Sequence, residues 1–345
     1  EWPIRAVNNI RAQADELWAL YQAVPPADWA THEAAIEKEL SYLQERYEYA
    51  KNTLSEEALN TGASLREALY FTPEDLHKEN GTATYVDYGD TRSLTQKELA
   101  DMLARLGDPS SSLFNIDQGR IGDCHLLASL NAYNQTEAGR RYLASLITPH
   151  YGADGKVDGF YVDFPGFDRD RKRVFVQDVL EYGDTAGGSH NADLGSIFEK
   201  AFVQSHMGGT RGKIPTWGAS GSLSALTMED ISGKATHPTV NLGINRESLK
   251  NAAIDAVTTG NPVVAESSPF AGQANVTIDG NDQTITVSSQ HVYIVVGTDE
   301  NGVTLTNPWG YNQTTTKGKK AGATFTMSWA DFYANFGDVT VGQIP

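Results

Sequence analysis

The sequence is poor in several features, and each shortage excludes a class of structure or partner. Its 345 residues include one cysteine, so no intramolecular disulfide can form and packing must hold the fold. No apolar run is long enough to cross a bilayer, and the stretch 292–296 is only strand-sized. Basic residues number 27 against 44 acidic ones, and the net charge of −17 argues against nucleic acid or an anionic membrane as partner.

What the sequence does contain is typical of a packed globular protein. Hydrophobic residues make up 40% of the chain and aromatic residues 10%. The length predicts two or three structural units. The chain begins with Glu1 rather than Met, and no basic-then-apolar leader follows, which predicts a processed product or an excised piece of a longer protein.

Residues 1–108 are predicted to form an acidic, all-α N-terminal domain. Apolar residues recur at helical spacing over 10–21 and 36–50, and Pro25 and Pro26 separate the two stretches, so a helical hairpin is expected. Thr72 precedes a further helix start. Thr95 and Glu98 form a capping box ahead of a last helix. This segment holds 20 acidic and 10 basic side chains.

The remainder is predicted to be an α+β core in two halves. Residues 109–238 mix a helix beginning at Cys124, strands near 160–164 and 174–176, and a helix through 197–202. Residues 239–345 are mostly strand-like, with Val and Thr alternation and frequent Gly and Asn turns. We therefore expect a helix-rich half followed by a β-rich half.

The single thiol lies where nucleophilic chemistry is favourable. Gly119 and Gly122 precede Cys124, and an apolar helix-forming run follows it, so the thiol falls at a helix start. The N-terminal N–H groups and the helix dipole lower the pKa of a thiol there. The Gln118 amide is placed to donate to an oxyanion. Against this reading, a lone cysteine is most often a small buried hydrophobe.

A base and its orienting partner are predicted in one β-hairpin. His291 opens a strand, a turn follows at 299–302, and the returning strand reaches Asn307. The Asn307 amide can fix the imidazole tautomer without adding charge, leaving a thiolate–imidazolium ion pair at rest. Trp309 is placed to cover the pair. Most histidines are structural, and for His125, on the helix after the thiol, packing is expected.

The segment from Gln118 to Ala128 resembles the nucleophile motif of the calpain family of cysteine proteases, Gln-Gly-x-x-Gly-Asp-Cys-Trp-Leu-Leu-Ala, with His125 replacing Trp. Five further segments are similar to calpain motifs in the same order: 197–202, 220–233, 291–293, 307–310 and 325–332. The resemblance covers about residues 113–345. It implies a papain-like two-lobed fold, with Cys124 in the lobe 109–238 and His291 and Asn307 in the lobe 239–345.

The resemblance also implies a reaction and a set of roles. The chain is expected to be a cysteine endopeptidase acting on polypeptides through an acyl-enzyme, with Cys124, His291 and Asn307 as the triad and Gln118 in the oxyanion hole. In animal calpains both halves of the core bind calcium. Here Ala192 and Leu194 replace expected ligands, and residues 311–316 offer no carboxylate, so no calcium site of that kind, and no cofactor, is predicted. The chain is similar to a compact bacterial member.

Other readings of the same residues stay open. An acyltransferase or transglutaminase on this fold would use the same triad, and a binding module with an inactive triad would keep the motifs without the reaction. The N-terminal helical domain fits an inhibitory segment, a docking segment or a structural brace. The sequence does not fix the compartment; secretion, or delivery as part of a larger bacterial protein, would both suit it.

Overall fold

The structure is a computed structural model that describes residues 90–167, 172–184, 191–207, 224–241, 245–268, 271–316 and 318–345. The predicted helical hairpin within 10–50 and the helix start at Thr72 lie outside these residues. The described residues form a mixed α+β fold with seven helices. The helices are α1 (Gln96–Gly107), α2 (Cys124–Asn134), α3 (Glu137–Ser145), α4 (Leu194–Met207), α5 (Ser224–Ser232), α6 (Arg246–Thr259) and α7 (Trp329–Asn335).

The strands form three sheets in which every described pairing is antiparallel. The strands are β1 (Thr91–Ser93), β2 (Ile147–Tyr151), β3 (Val157–Asp163), β4 (Arg173–Val176), β5 (Asp178–Leu180), β6 (Pro238–Val240), β7 (Val263–Ser267), β8 (Gln273–Ile278), β9 (Asn281–Thr286), β10 (Val292–Thr298), β11 (Gly302–Thr314), β12 (Lys320–Ser328) and β13 (Phe336–Val341). β1 pairs with β5, and β2, β3 and β4 form a second sheet. The third has the order β12-β8-β9-β11-β10-β7-β13-β6, and β12 also pairs with β11.

Helix α1 begins as its sequence predicts. The Thr95 hydroxyl accepts a hydrogen bond from the Glu98 N–H group, and the Glu98 carboxylate accepts one from the Thr95 N–H group, which is the capping box. Arg92 donates two further bonds to the same carboxylate, at 2.7 and 3.1 Å. The cap and the ion pair together fix the start of the helix.

Residues 91–107 share a core with the residues that follow them. Leu99 and Met102 on α1 are buried in the same hydrophobic cluster as Phe160 and Phe198. Strand β1 pairs with β5, with Thr91 opposite Leu180. The predicted domain boundary at 108 is therefore not a boundary of packing, because the apolar face of α1 is covered by the helix-rich half.

Helix α2 is part of the core of the helix-rich half. Nine of its 11 residues are buried, as expected for a helix that is apolar on all sides. It packs against strands β10, β7 and β11, and Val264, Val292 and Ile294 of the large sheet join the core of the helix-rich half. A second core lies within the β-rich half, around Tyr293, Phe325 and Phe336.

The β-rich half contains one long helix that was not predicted. Helix α6 buries Leu249, Ala253 and Ala256, which recur at steps of four and three residues. It ends at Gly260, whose backbone is left-handed (φ 74°). The helical spacing of these residues is present in the sequence. Alanine side chains are small, however, so the pattern is weak compared with that of the Val-rich strands around it.

None of the helices in the described residues has the length and apolar character needed to cross a bilayer.

Candidate active site

The loop before the thiol is held at two points. The Gln118 N–H group donates to the Pro308 carbonyl at 2.8 Å, and the Arg120 N–H group donates to the Tyr182 carbonyl at 2.9 Å. Between them Gly119 lies so close to the 182–183 backbone that an added Cβ would be 2.0 Å from the Gly183 carbonyl oxygen. Only glycine fits there, so the approach fixes the loop.

Cys124 is the first residue of α2, as the sequence predicts. The preceding Asp123 occupies the N-cap position, but its side chain accepts no hydrogen bond from the N–H groups of the first helical turn. The N–H groups of Val292 and His125 lie within hydrogen-bonding reach of the sulfur. Val292 is the first residue of β10 and directly follows His291, so the thiol contacts the strand that begins next to the predicted base.

The predicted base and its partner are hydrogen-bonded. His291 Nε2 lies 2.9 Å from Asn307 Oδ1, and both residues are buried. An amide oxygen can only accept, so Nε2 carries the proton and Nδ1 keeps its lone pair. The Trp309 N–H group donates to the same Oδ1 at 3.0 Å, which supports this orientation of the amide. The His291 side chain therefore has an unprotonated nitrogen available as a base.

Neutral and aromatic groups surround the His291–Asn307 pair. The Trp309 ring covers the imidazole, with ring centres 4.3 Å apart, and Tyr293 packs edge-on at 5.0 Å. Asn307 Nδ2 donates to Asn312 Oδ1 at 3.2 Å. Asn312 donates in turn to the carbonyls of 322 and 323, at 2.6 and 2.9 Å. This amide chain fixes the imidazole with no charged group.

Cys124, His291 and Gln118 line the same cleft, which has a volume of about 410 Å³. The other described residues that line it are Gly119, Arg120, Ile121, Gly122, Ser289, Gln290, Trp309 and Tyr311. A larger groove of about 640 Å³ lies on the β-rich half, around Asn275 and Asp299, but its described lining contains no thiol and no imidazole. The smaller cleft is therefore the one with nucleophile chemistry.

The charge states of the thiol and the imidazole differ from the predicted ion pair. Burial raises the pKa of the Cys124 thiol to about 12, and the carboxylates of Glu266 and Asp123 add to the rise. Burial lowers the pKa of His291 to about 4, against a smaller opposite effect of Asn307. Both groups are thus neutral at pH 7 in this structure, because desolvation outweighs the N–H groups at the helix start.

Gln118 lies in the cleft, but its amide is engaged within the protein. Its Nε2 donates to the Ile121 carbonyl at 2.7 Å and lies 3.5 Å from a carboxylate oxygen of Asp123. Its predicted role as oxyanion donor stays a prediction, since it requires one N–H bond to turn toward a substrate carbonyl. The backbone N–H groups of the helix start are the other donors at this point.

Three carboxyls that sequence reasoning did not single out lie buried beside the thiol loop: Asp123, Asp184 and Glu199. The Asp184 N–H group donates to Glu199 at 3.0 Å, and Asp184 accepts from the Asp117 N–H group at 2.8 Å. If all three carboxyls were ionised, each would have one buried oxygen atom that accepts no hydrogen bond, which is unfavourable. Burial raises the pKa of Asp123 to about 7 and those of Asp184 and Glu199 well above their usual range.

The three carboxyls are far apart in the sequence, which is why the sequence does not reveal the cluster. Asp123 precedes the thiol, whereas Asp184 and Glu199 belong to a turn and a helix more than 60 residues away. An Ala192 and a Leu194 stand where calcium ligands were expected, and both are buried. Within the described ranges no group of three or more His, Cys, Asp or Glu side chains is arranged to hold a metal ion.

His125 is buried on the helix after the thiol. Its Nδ1 lies 2.8 Å from the Thr227 hydroxyl, and its ring is 6.0 Å from that of Phe202. The predicted packing position of this residue agrees with these contacts.

In comparisons with known proteins, no family model and no curated protein matches this chain.

Proposed function

We propose that the chain is a cysteine endopeptidase on a papain-like two-lobed fold, with a core similar to that of calpains. The observation that carries the proposal is the cleft itself. A thiol at a helix start and an imidazole oriented by an amide line one cleft, although Cys124 and His291 are far apart in sequence. A nucleophile, a base and an orienting group are what acyl transfer through a thiol requires.

The proposed reaction begins from the neutral pair. The S–H proton passes to His291 Nδ1 as the sulfur attacks the peptide carbonyl carbon, and an S–C bond forms. The oxyanion is stabilised by N–H groups at the start of α2, with Gln118 as a further donor. The C–N bond then breaks, and His291 returns the proton to the leaving amine. Water, deprotonated by the same imidazole, hydrolyses the thioester and regenerates the thiol.

Asn307 is a positioning residue in this scheme. Its Oδ1 holds the Nε2–H tautomer, so Nδ1 is the nitrogen that takes the proton. A neutral partner stabilises the imidazolium less than a carboxylate would. The proton transfer therefore depends on the thiolate and the imidazolium forming side by side, where each stabilises the other.

The test uses the chain's only cysteine. A thiol-directed peptide electrophile is expected to label Cys124 at neutral pH in the wild type, and labelling should fall on the order of 10⁴-fold in His291→Ala. Cys124→Ala should lose both label and proteolysis while keeping its circular dichroism spectrum. Proteolysis that persists in Cys124→Ala would refute the proposal.

Two further measurements separate the related readings. An added amine acceptor captures the acyl group if the enzyme is a transferase, whereas a hydrolase releases free carboxylate in its presence. Mass spectrometry of the incubated protein, with and without calcium, reports self-cleavage, cleavage preference and any need for the metal. A binding module with an inactive triad would give neither a label nor a cleavage product.

A further inference from the structure

The cleft lining carries a positive charge that has no role in the proposed reaction. The whole chain carries a net charge of −17. The described residues that line the cleft nevertheless include no Asp or Glu, and with the thiol and the imidazole neutral, Arg120 carries the one full charge among them. A cation at the cleft of an acidic protein creates a local potential opposite to that of the rest of the surface.

Arg120 is held in place from two sides. Its N–H group donates to the Tyr182 carbonyl at 2.9 Å, and its guanidinium carbon lies 5.5 Å from the centre of the Tyr182 ring. The contact of Gly119 with the 182–183 backbone fixes the loop that carries it. Stacking on an aromatic face leaves the edge of the planar guanidinium free to bind a carboxylate with two parallel bonds.

Three of the described arginines have their charge paired, whereas Arg120 does not. Arg92, Arg141 and Arg173 form ion pairs with carboxylates at 2.7, 2.6 and 3.3 Å. Arg120 is exposed, and in the described part of the chain no carboxylate lies within ion-pair distance of it. Its charge is therefore available to a ligand in the cleft.

A second cation, Lys320, contacts a lining residue of the cleft without lining the cleft itself. Tyr311 lines the cleft on the β-rich half, and Lys320 Nζ lies 3.4 Å from the centre of its ring. Lys320 is also exposed and makes no ion pair with any described carboxylate. Arg120 is therefore the cation in the cleft lining, and Lys320 adds positive charge next to Tyr311.

We infer that Arg120 is a specificity-determining residue that binds an Asp or Glu side chain of the polypeptide substrate close to the scissile bond. The inference rests on the proposed function. The net negative charge of the protein repels acid-rich chains. The expected preference is therefore for a single acidic residue near the cleavage site rather than for an acidic tract. Lys320, next to Tyr311, adds to the positive charge near the cleft.

The experiment compares the wild type with Arg120→Glu and Arg120→Gln. A proteome-derived peptide library is digested, and mass spectrometry scores the residues on both sides of each cut. Matched peptides with Glu or Gln at the preferred position then give kcat/KM. Arg246→Glu is the control, because Arg246 stacks on Tyr333 at 5.2 Å in the same manner but lies outside the cleft lining. Thermal unfolding midpoints verify that each variant folds.

The wild type is expected to cleave the Glu peptide about fivefold better than the Gln peptide, the upper range for an exposed ion pair, and less so at high salt. Arg120→Gln should lose the preference, Arg120→Glu should favour Lys at that position, and Arg246→Glu should match the wild type. A wild type without acidic preference, or a preference that survives in Arg120→Glu, overturns the inference alone. No cleavage and no label on Cys124 would instead overturn the proposed function, and this inference with it.

Discussion

The two walls of the cleft differ in the polar groups that support their reactive side chains: carboxyls support the thiol loop, and neutral amides support the imidazole. On the thiol wall, the loop before Cys124 lies beside three buried carboxyls whose pKa values are raised. On the histidine wall, His291 is fixed by a chain of neutral amides and by Trp309. The difference predicts that the first wall responds to pH through protonation of its support, whereas the amide chain that supports His291 has no titratable group and depends on geometry.

The largest expected effect tests the geometry of the histidine wall. Asn307→Ala should lower kcat/KM on the order of 10²-fold, because the imidazole loses its fixed tautomer and a misplaced group costs about that much. His291→Ala should cost on the order of 10⁴-fold. Steady-state cleavage of one peptide by each variant gives both values.

The control for that comparison is Asn281→Ala, which removes an exposed amide in the β8–β9 hairpin that donates to the Asp279 carbonyl. It should match the wild type. If Asn307→Ala stayed within threefold of the wild type, the orienting role of the amide chain would be wrong.

A smaller effect is expected from the loop of the thiol wall. Gly119→Ala places a Cβ 2.0 Å from the Gly183 carbonyl oxygen, so the loop must shift. We expect a loss of about 1–3 kcal/mol in the free energy of unfolding, typical of overpacking, together with slower labelling of Cys124. Urea unfolding and labelling rates measure the two effects.

Gly107→Ala provides the matched control, because an added Cβ at Gly107 would meet nothing within 4 Å. That variant should be as stable as the wild type and label at the same rate. Equal behaviour of the two alanine variants would show that the loop is not clamped as described.

A stability effect of similar size is expected from the buried carboxyls, and it depends on pH. Between pH 6.5 and 8 the unfolded chain has released the carboxyl protons that the folded cluster still holds. The free energy of unfolding should therefore fall as pH rises. His291, whose folded pKa of about 4 is depressed, acts in the opposite direction only between pH 4 and 6.5. Glu199→Gln should be more stable than the wild type at pH 8 by about 1–3 kcal/mol.

The measurement is urea unfolding at pH 6.5 and pH 8, with a chelator present so that no cation neutralises the cluster in place of protons. Glu98→Gln is the contrasting control. Burial alone would raise the pKa of Glu98, but hydrogen bonds from Arg92, Thr95 and Ala192 outweigh it and lower the value to about 2. That variant should be destabilised equally at both pH values. A pH dependence unchanged in Glu199→Gln would contradict protonation of the cluster.

Much of the candidate site could be predicted because its signals are local. The start of α2 at Cys124, the capping box at Thr95, the β10–β11 hairpin and the closeness of His291 and Asn307 at one end of it are all confirmed. Glycine placement, helical spacing and turn residues encode each of them within a few positions. The catalytic roles of these residues remain predictions.

The sequence by itself determined where the thiol, the imidazole and the amide lie on their own elements. Only the tertiary structure decided that α1 shares the core of the helix-rich half, and that Asp123, Asp184 and Glu199 meet. It also decided that the thiol and the imidazole are neutral rather than paired as ions. The reason is physical: periodicity and capping act between neighbours in sequence, whereas burial, and the desolvation that sets a pKa, depend on residues brought together from distant parts of the chain.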